Sequence, residues 1–209
     1  MIYQTPSSPP QLNPTVAPMD KADHAQVTSC VIDLETTNLS ADFGVILCGV
    51  LKPAGAKPKV FRADVLNPHW NVRRSDDSHV AKAIATEMDK YDIWIIHNGA
   101  KFDLPFLRTR LLRWGLEPLP SKKLVDPVLL ARNKLRMSYN SLEQIANHLG
   151  CNTKTEVKPD CWLSAALDGN RKSMNYIVEH CIQDVMVLEQ IIAKLKHYST
   201  NFNSYGSGF

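Results

Sequence analysis

Val27-Thr28-Ser29-Cys30-Val31-Ile32-Asp33-Leu34-Glu35-Thr36-Thr37 (VTSCVIDLETT) is the stretch that decides the fold. Val27 to Leu34 is rich in β-branched and apolar residues, which suits a buried strand. It ends in Asp33-Leu34-Glu35. Side chains alternate along a strand, so these two carboxylates project from one face, two positions apart. Neighbouring carboxylates repel and resist ionising together unless a cation lies between them. A divalent ion such as Mg²⁺ suits the pair, because it takes few carboxylates and fills its shell with water and phosphate oxygens. The plain alternative is a strand end carrying two solvated acids, and the pair alone does not choose between them.

Downstream, Gly44 to Leu51 (GVILCGVL) reads as a second strand and Lys59 to Ala63 as a third, with Pro53, Gly55 and Pro58 marking the turn of a meander. Asp76 to Tyr91 has apolar Val80, Ala83, Ile84 and Met88 at helical spacing. Asp92 to His97 (DIWIIH) fits an interior strand, Phe102 to Trp114 a helix, and Lys123 to Asp126 a last short strand. Asn140 to Leu149 is helical, with Asn140 and Glu143 spaced as a capping box. A long helix from Ser173 to Tyr198 buries Ile177, Cys181, Val185, Leu188 and Ile192. This order predicts an α/β fold, one central sheet with helices on its faces. Ligand sites in such sheets gather at strand ends.

A chain of 209 residues fits one domain with flexible ends. Residues 1–26 carry Pro6, Pro9, Pro10, Pro14 and Pro18 among polar residues and are expected to be a disordered leader. The folded domain is placed at 27–197 and a flexible tail at 198–209, where Phe202, Tyr205 and Phe209 could dock or stack on bases. A net charge of +3 permits an anionic partner without demanding one. Five cysteines without a CxxC spacing argue against a structural zinc site and against a disulfide framework. With no apolar run near the ~20 residues of a membrane span and no secretory signal, the expected compartment is cytoplasmic and no membrane is involved.

Two further acids stand out. Asp103 follows the DIWIIH strand through His97-Asn98-Gly99 and lies in the first turn of a helix, where an acid also complements the helix dipole. Asp184 sits between Ile182 and Val185 on a core-packing helix, where an acid is costly unless paired or metal-bound. His180 is one turn earlier on the same face, so a simple His–Asp pair is the competing reading.

In this order the motifs resemble the DEDD superfamily of 3′→5′ exonucleases, which have a ribonuclease H-like fold. VIDLETT matches the first motif, HNGAKFDLPFLRTR the second and HCIQDVMVLEQI the third. KLVDPVLLAR and SYNSLEQIANHLG resemble the branch related to the proofreading domains of family B polymerases, and the likeness covers about residues 27–197. The resemblance implies a central mixed five-stranded sheet flanked by helices. It implies two divalent ions, Mg²⁺ or Mn²⁺, held by Asp33, Glu35, Asp103 and Asp184, which clamp the attacking and leaving oxygens. Relatives carry Tyr four residues before the last aspartate or His five before it. Here position 180, four before, is His and position 179 is Glu. We expect His180 to hold or deprotonate the attacking water, a task its ordinary pKa near ~6.5 suits. Asn38 stands where some relatives have Gly, and is expected to take a left-handed turn. Asp126 is expected to play a supporting or structural part.

The resemblance also implies that Thr36 contacts the terminal nucleotide and places Asn98 at the substrate. Leu39 either packs on the terminal base or is buried in the core. Lys101, Arg108, Arg110 and Arg113 are candidates for the phosphate backbone, as are Lys122 and Lys123. The expected function is metal-dependent 3′→5′ hydrolysis of single-stranded nucleic-acid ends, DNA ahead of RNA. The expected setting is a freestanding repair, processing or virus-encoded nuclease, with a polymerase, helicase or other replication or repair protein as candidate partner. Glu35 replaces the second aspartate an aspartate-nucleophile phosphatase needs, and no GxxxxGK[ST] loop occurs, which excludes a P-loop NTPase. The remaining alternatives are a ribonuclease H-like binding module without catalysis and a structure-specific endonuclease using the same site.

Overall fold

The computed structural model describes residues 27–151 and 156–198. The expected leader and the tail beyond Tyr198 lie outside the described residues. Five strands form one mixed sheet: β1 (Ser29–Thr36), β2 (Ile46–Pro53), β3 (Lys59–Arg62), β4 (Ile93–Ile95) and β5 (Lys123–Val125), in the order β3-β2-β1-β4-β5. β1 pairs antiparallel with β2, and β2 with β3, while β1–β4 and β4–β5 are parallel. The α/β fold and its mixed five-stranded sheet are therefore as the sequence predicts. β1 lies at the centre, includes Glu35 as expected and runs one residue further, to Thr36.

The helices are α1 (Ala63–Leu66), α2 (Ser78–Met88), α3 (Asp103–Arg113), α4 (Pro127–Lys134), α5 (Leu142–His148), α6 (Pro159–Asp168) and α7 (Arg171–Leu195). Strand alternation sorts the two faces. Leu34 and Gly49 point to α2, where a Cβ on Gly49 would meet Ile84 Cδ1 at 2.6 Å. Asp33 points the other way, to Cys181 on α7. α7 crosses β1 and β2 on that second face and is fixed to the sheet by an ion pair of Lys52 with Glu189 at 2.7 Å.

A buried ionic knot ties the α2 side together. Asp77, directly before α2, accepts from Ile46 N–H (2.9 Å), from Trp114 Nε1–H (2.7 Å) and, at both oxygens, from the Arg110 guanidinium (2.8 Å). Arg110 is thus a core residue of α3 and does not face a phosphate, contrary to the expectation above. Its neighbour Arg113 lies 5.6 Å from the Trp114 ring centroid. Lys122 is occupied by the Asp89 carbonyl at 2.9 Å, and the Lys123 ammonium is buried without a hydrogen-bond partner among the described residues.

Two local expectations are corrected, and two helices are added. The cap of α5 is Ser141, which accepts from Gln144 N–H at 3.2 Å, so the capping spacing begins one residue after Asn140. Among the described residues the left-handed non-glycine is Asn98 (φ 59°), not Asn38, whose side chain instead accepts from Ser40 N–H. Helices α4 and α6 carry weak amphipathic signals and were missed. Each begins with proline in its first turn, and α6 ends at Gly169 in a left-handed conformation (φ 67°).

Candidate active site

β4 pairs with β1 only as far as Val31, opposite Ile95. Beyond that point, among the described residues, β1 has no strand neighbour on that side, and the turn after β4 takes the place of one. Asn98 adopts the left-handed conformation and Gly99 follows it, where a Cβ would sit 2.4 Å from Ile96 Cβ. This tight Asn-Gly turn brings the start of α3 to the strand. Asp103 Oδ1 then accepts from Leu34 N–H at 3.2 Å, satisfying a donor that a longer β4 would have taken. Asp126 secures the turn: its Oδ1 accepts from Asn98 N–H (2.9 Å) and from Val128 N–H (3.0 Å), which also caps α4.

On the other face α7 presents His180, Cys181 and Asp184. His180 Nε2 lies 3.9 Å from Glu35 Oε1 and 3.9 Å from Asp184 Oδ2, so it faces two carboxylates and not Asp184 alone. Cys181 donates its S–H to Asp33 Oδ2 at 3.2 Å, and ligand atoms of Asp33, Glu35 and Cys181 lie within 4.8 Å of one another. The five cysteines are free thiols, and burial pushes that of Cys181 well up.

The electrostatics follow from crowding like charges in a buried place. Burial raises the Asp33 carboxyl well above the usual carboxylate range, and the charges of Glu35, Asp184 and Asp103 raise it further. Asp103 is pushed up to about 7, chiefly by burial and also by Asp126, against hydrogen bonds from its own and the Leu34 backbone N–H. Protonation or a cation relieves such a cluster. Its hard donors are the carboxylates of Asp33 and Glu35, with the Cys181 thiol beside them and the charges of Asp184 and Asp103 felt at Asp33, and crowded carboxylates of this kind suit a divalent metal ion.

An open groove of about 610 Å³ leads from this cluster. Leu34 to Leu39 and Phe102 form one wall; Val157, Pro159, Trp162 and Leu163 form the other. Thr36 lines it, with its hydroxyl donating to the Asn38 carbonyl at 2.8 Å. Leu39 is 83 % exposed, which excludes core burial. Lys101 and Arg108 are exposed, while Asn98 serves the turn through its backbone. The reading from sequence missed Trp162, because α6 itself was missed. Its Nε1–H donates to Glu35 Oε2 at 3.0 Å.

The profile of the RNase H superfamily matches residues 30–196, which takes in the sheet from the second residue of β1 onward and all of α7. The chain belongs to the RNase H superfamily. It is 29% identical over 122 residues to the PolC-type DNA polymerase III of Ureaplasma parvum serovar 3, an alignment covering 50% of this chain and 8% of that protein. The chain therefore spans a small part of that polymerase's length. Its structure is similar to that of the family B DNA polymerase of the hyperthermophilic archaeon Pyrobaculum calidifontis, with a TM-score of 0.62 at 15% identity, covering 81% of this chain and 24% of that one. At that identity the likeness is one of fold. Superfamily membership supports a nuclease-like role, and RNase H-like nucleases generally use divalent metals, for which this acidic cluster is a candidate centre. Among the described residues no helix is long and apolar enough to cross a membrane.

Proposed function

We propose that this chain is a metal-dependent 3′→5′ exonuclease acting on single-stranded nucleic-acid ends, with DNA preferred to RNA. The observation that carries the reading is the crowding of buried and half-buried carboxylates from three elements at the head of an open groove, where burial and then its acidic neighbours raise Asp33 well above its ordinary pKa. Both of the similar proteins are DNA polymerases, which supports the DNA preference.

Asp33, Glu35, Asp103 and Asp184 would hold two divalent ions, Mg²⁺ or Mn²⁺, which supply a charge clamp on the phosphoryl oxygens and lower the pKa of the attacking water. His180 takes that water's proton at Nε2, the nitrogen facing Glu35 and Asp184. Asp103 also holds the strand end through Leu34 N–H, so the first motif cannot drift from the second. Thr36 and Leu39 receive the terminal nucleotide in the groove, while exposed Lys101 and Arg108 hold the phosphate backbone upstream.

The test is cleavage of 5′-labelled single-stranded DNA and RNA in parallel, with Mg²⁺, Mn²⁺ or EDTA and with Asp103→Ala as control. A metal-dependent ladder shortened from the 3′ end, absent in the variant and faster on DNA, is expected. Internal cuts would favour an endonuclease on the same site. Binding without cleavage would favour a module lacking catalysis.

A further inference from the structure

Glu35 has two oxygens in different surroundings. Oε1 faces His180 Nε2, and Oε2 accepts from Trp162 Nε1–H at 3.0 Å, a good hydrogen-bond length. An indole N–H only donates, so this contact cannot reverse its polarity as a hydroxyl could. The same indole packs edge-on against His180, with ring centroids 5.5 Å apart and an interplanar angle of 84°. Trp162 therefore touches both residues whose orientation the proposed chemistry needs, from a helix that contributes none of the four carboxylates.

The indole is itself braced. Its ring meets Tyr176 edge-on at 6.5 Å and 82°. The Tyr176 hydroxyl donates to the Glu156 carbonyl, and the Lys158 ammonium lies 5.2 Å from the Tyr176 ring centroid, which fastens the chain entering α6 to α7. Tyr176 stands a turn before His180 on the same helix, so one face of α7 carries His180, Asp184 and the anchor of the segment that delivers Trp162.

We propose that Trp162 is a positioning residue for the metal centre: its N–H fixes the Glu35 carboxylate, committing Oε2 to the indole and leaving Oε1 turned toward the centre. The inference rests on the metal-binding role proposed above for Glu35. Partners that orient a ligating carboxylate typically change metal affinity by roughly 10–100-fold when removed.

The test is Mn²⁺ titration of the full chain by calorimetry, comparing wild type, Trp162→Phe, Glu35→Gln and the double variant, with thermal melts in EDTA alongside. Trp162→Phe keeps an aromatic ring and loses the donor, so Mn²⁺ should bind roughly tenfold or more weakly. In the Glu35→Gln background the same change should have little further effect, because the two residues act through one contact. Unchanged or tighter binding by Trp162→Phe overturns the proposal, as does an equal loss in both backgrounds. Should Trp162→Phe fail to fold, 3-benzothienylalanine at position 162, which keeps the indole shape without its N–H, carries the same comparison. Wild-type protein that binds no Mn²⁺, or binds it as tightly after Glu35→Gln, would instead sink the metal role of Glu35 itself.

Discussion

Arg108 and Arg110 stand two residues apart on α3, and the structure gives them opposite fates. Arg110 is 3% exposed and spends its guanidinium on Asp77 and the Ala41 carbonyl, whereas Arg108 is in solvent. Arg110→Ala leaves the Asp77 carboxylate buried with its cation gone. Breaking such a pair from one side costs about 3–5 kcal/mol. For a domain of this size each kcal/mol lowers Tm by about 2–4 °C, so the melt should fall by roughly 6–20 °C. Arg108→Ala touches no such contact and should stay within about 0.5 kcal/mol of wild type. Its effect belongs to binding: removing one phosphate contact to a single strand should make the slope of log K against log salt shallower by about 0.7. Thermal unfolding and anisotropy of a labelled oligonucleotide, with Ca²⁺ replacing Mg²⁺, read the two effects separately. Equal melting of Arg110→Ala and wild type, or a large drop for Arg108→Ala, would refute the placement of α3.

Two further outcomes follow from the site. Asp103 holds its proton more tightly when folded, at about 7 against an ordinary 3.8, so in EDTA its contribution to stability is greatest at low pH and declines as pH rises from about 4 to about 7. Asp103→Asn should flatten that decline, and Mg²⁺ should restore wild-type stability at pH 8; denaturant melts across pH that fall equally for both proteins would count against a buried acid there. Leu39→Ala should leave the melt unchanged, since the side chain is 83 % exposed, yet raise KM several-fold, the ~1 kcal/mol of a lost apolar contact to a base; a lowered melt with unchanged KM would argue otherwise.

What could be read from sequence was set by the strength of local patterning. The β-branched run into Asp33 and the Asn98-Gly99 turn carry signals that tertiary packing does not override, so the sheet and the carboxylates on one face of β1 were legible. Arg110 was not, because a cation on an amphipathic helix reads as solvent-facing, and its partner Asp77 lies 33 residues earlier in the chain. Asn38 was misread because its side chain closes the turn by accepting from Ser40 N–H, which removes the need for positive φ. Helix α6 buries only Ala165 fully, so its apolar stripe is faint. Pro159 and Gly169 are its start and stop marks, the local signals in the sequence that point to the helix carrying Trp162. Contact between Trp162 and Glu35 joins residues 127 apart, and no local pattern announces it.

The proposed function requires that four carboxylates act as one metal-dependent centre. The most direct measurement is the rate of 3′-end shortening of 5′-labelled single-stranded DNA in Mg²⁺ by Asp33→Asn, Glu35→Gln, Asp103→Asn and Asp184→Asn, each checked for a cooperative melt. Every one of the four should lose at least ~100-fold, about 2.7 kcal/mol of transition-state stabilisation. A folded variant at any of these positions that shortens the strand at the wild-type rate would contradict it.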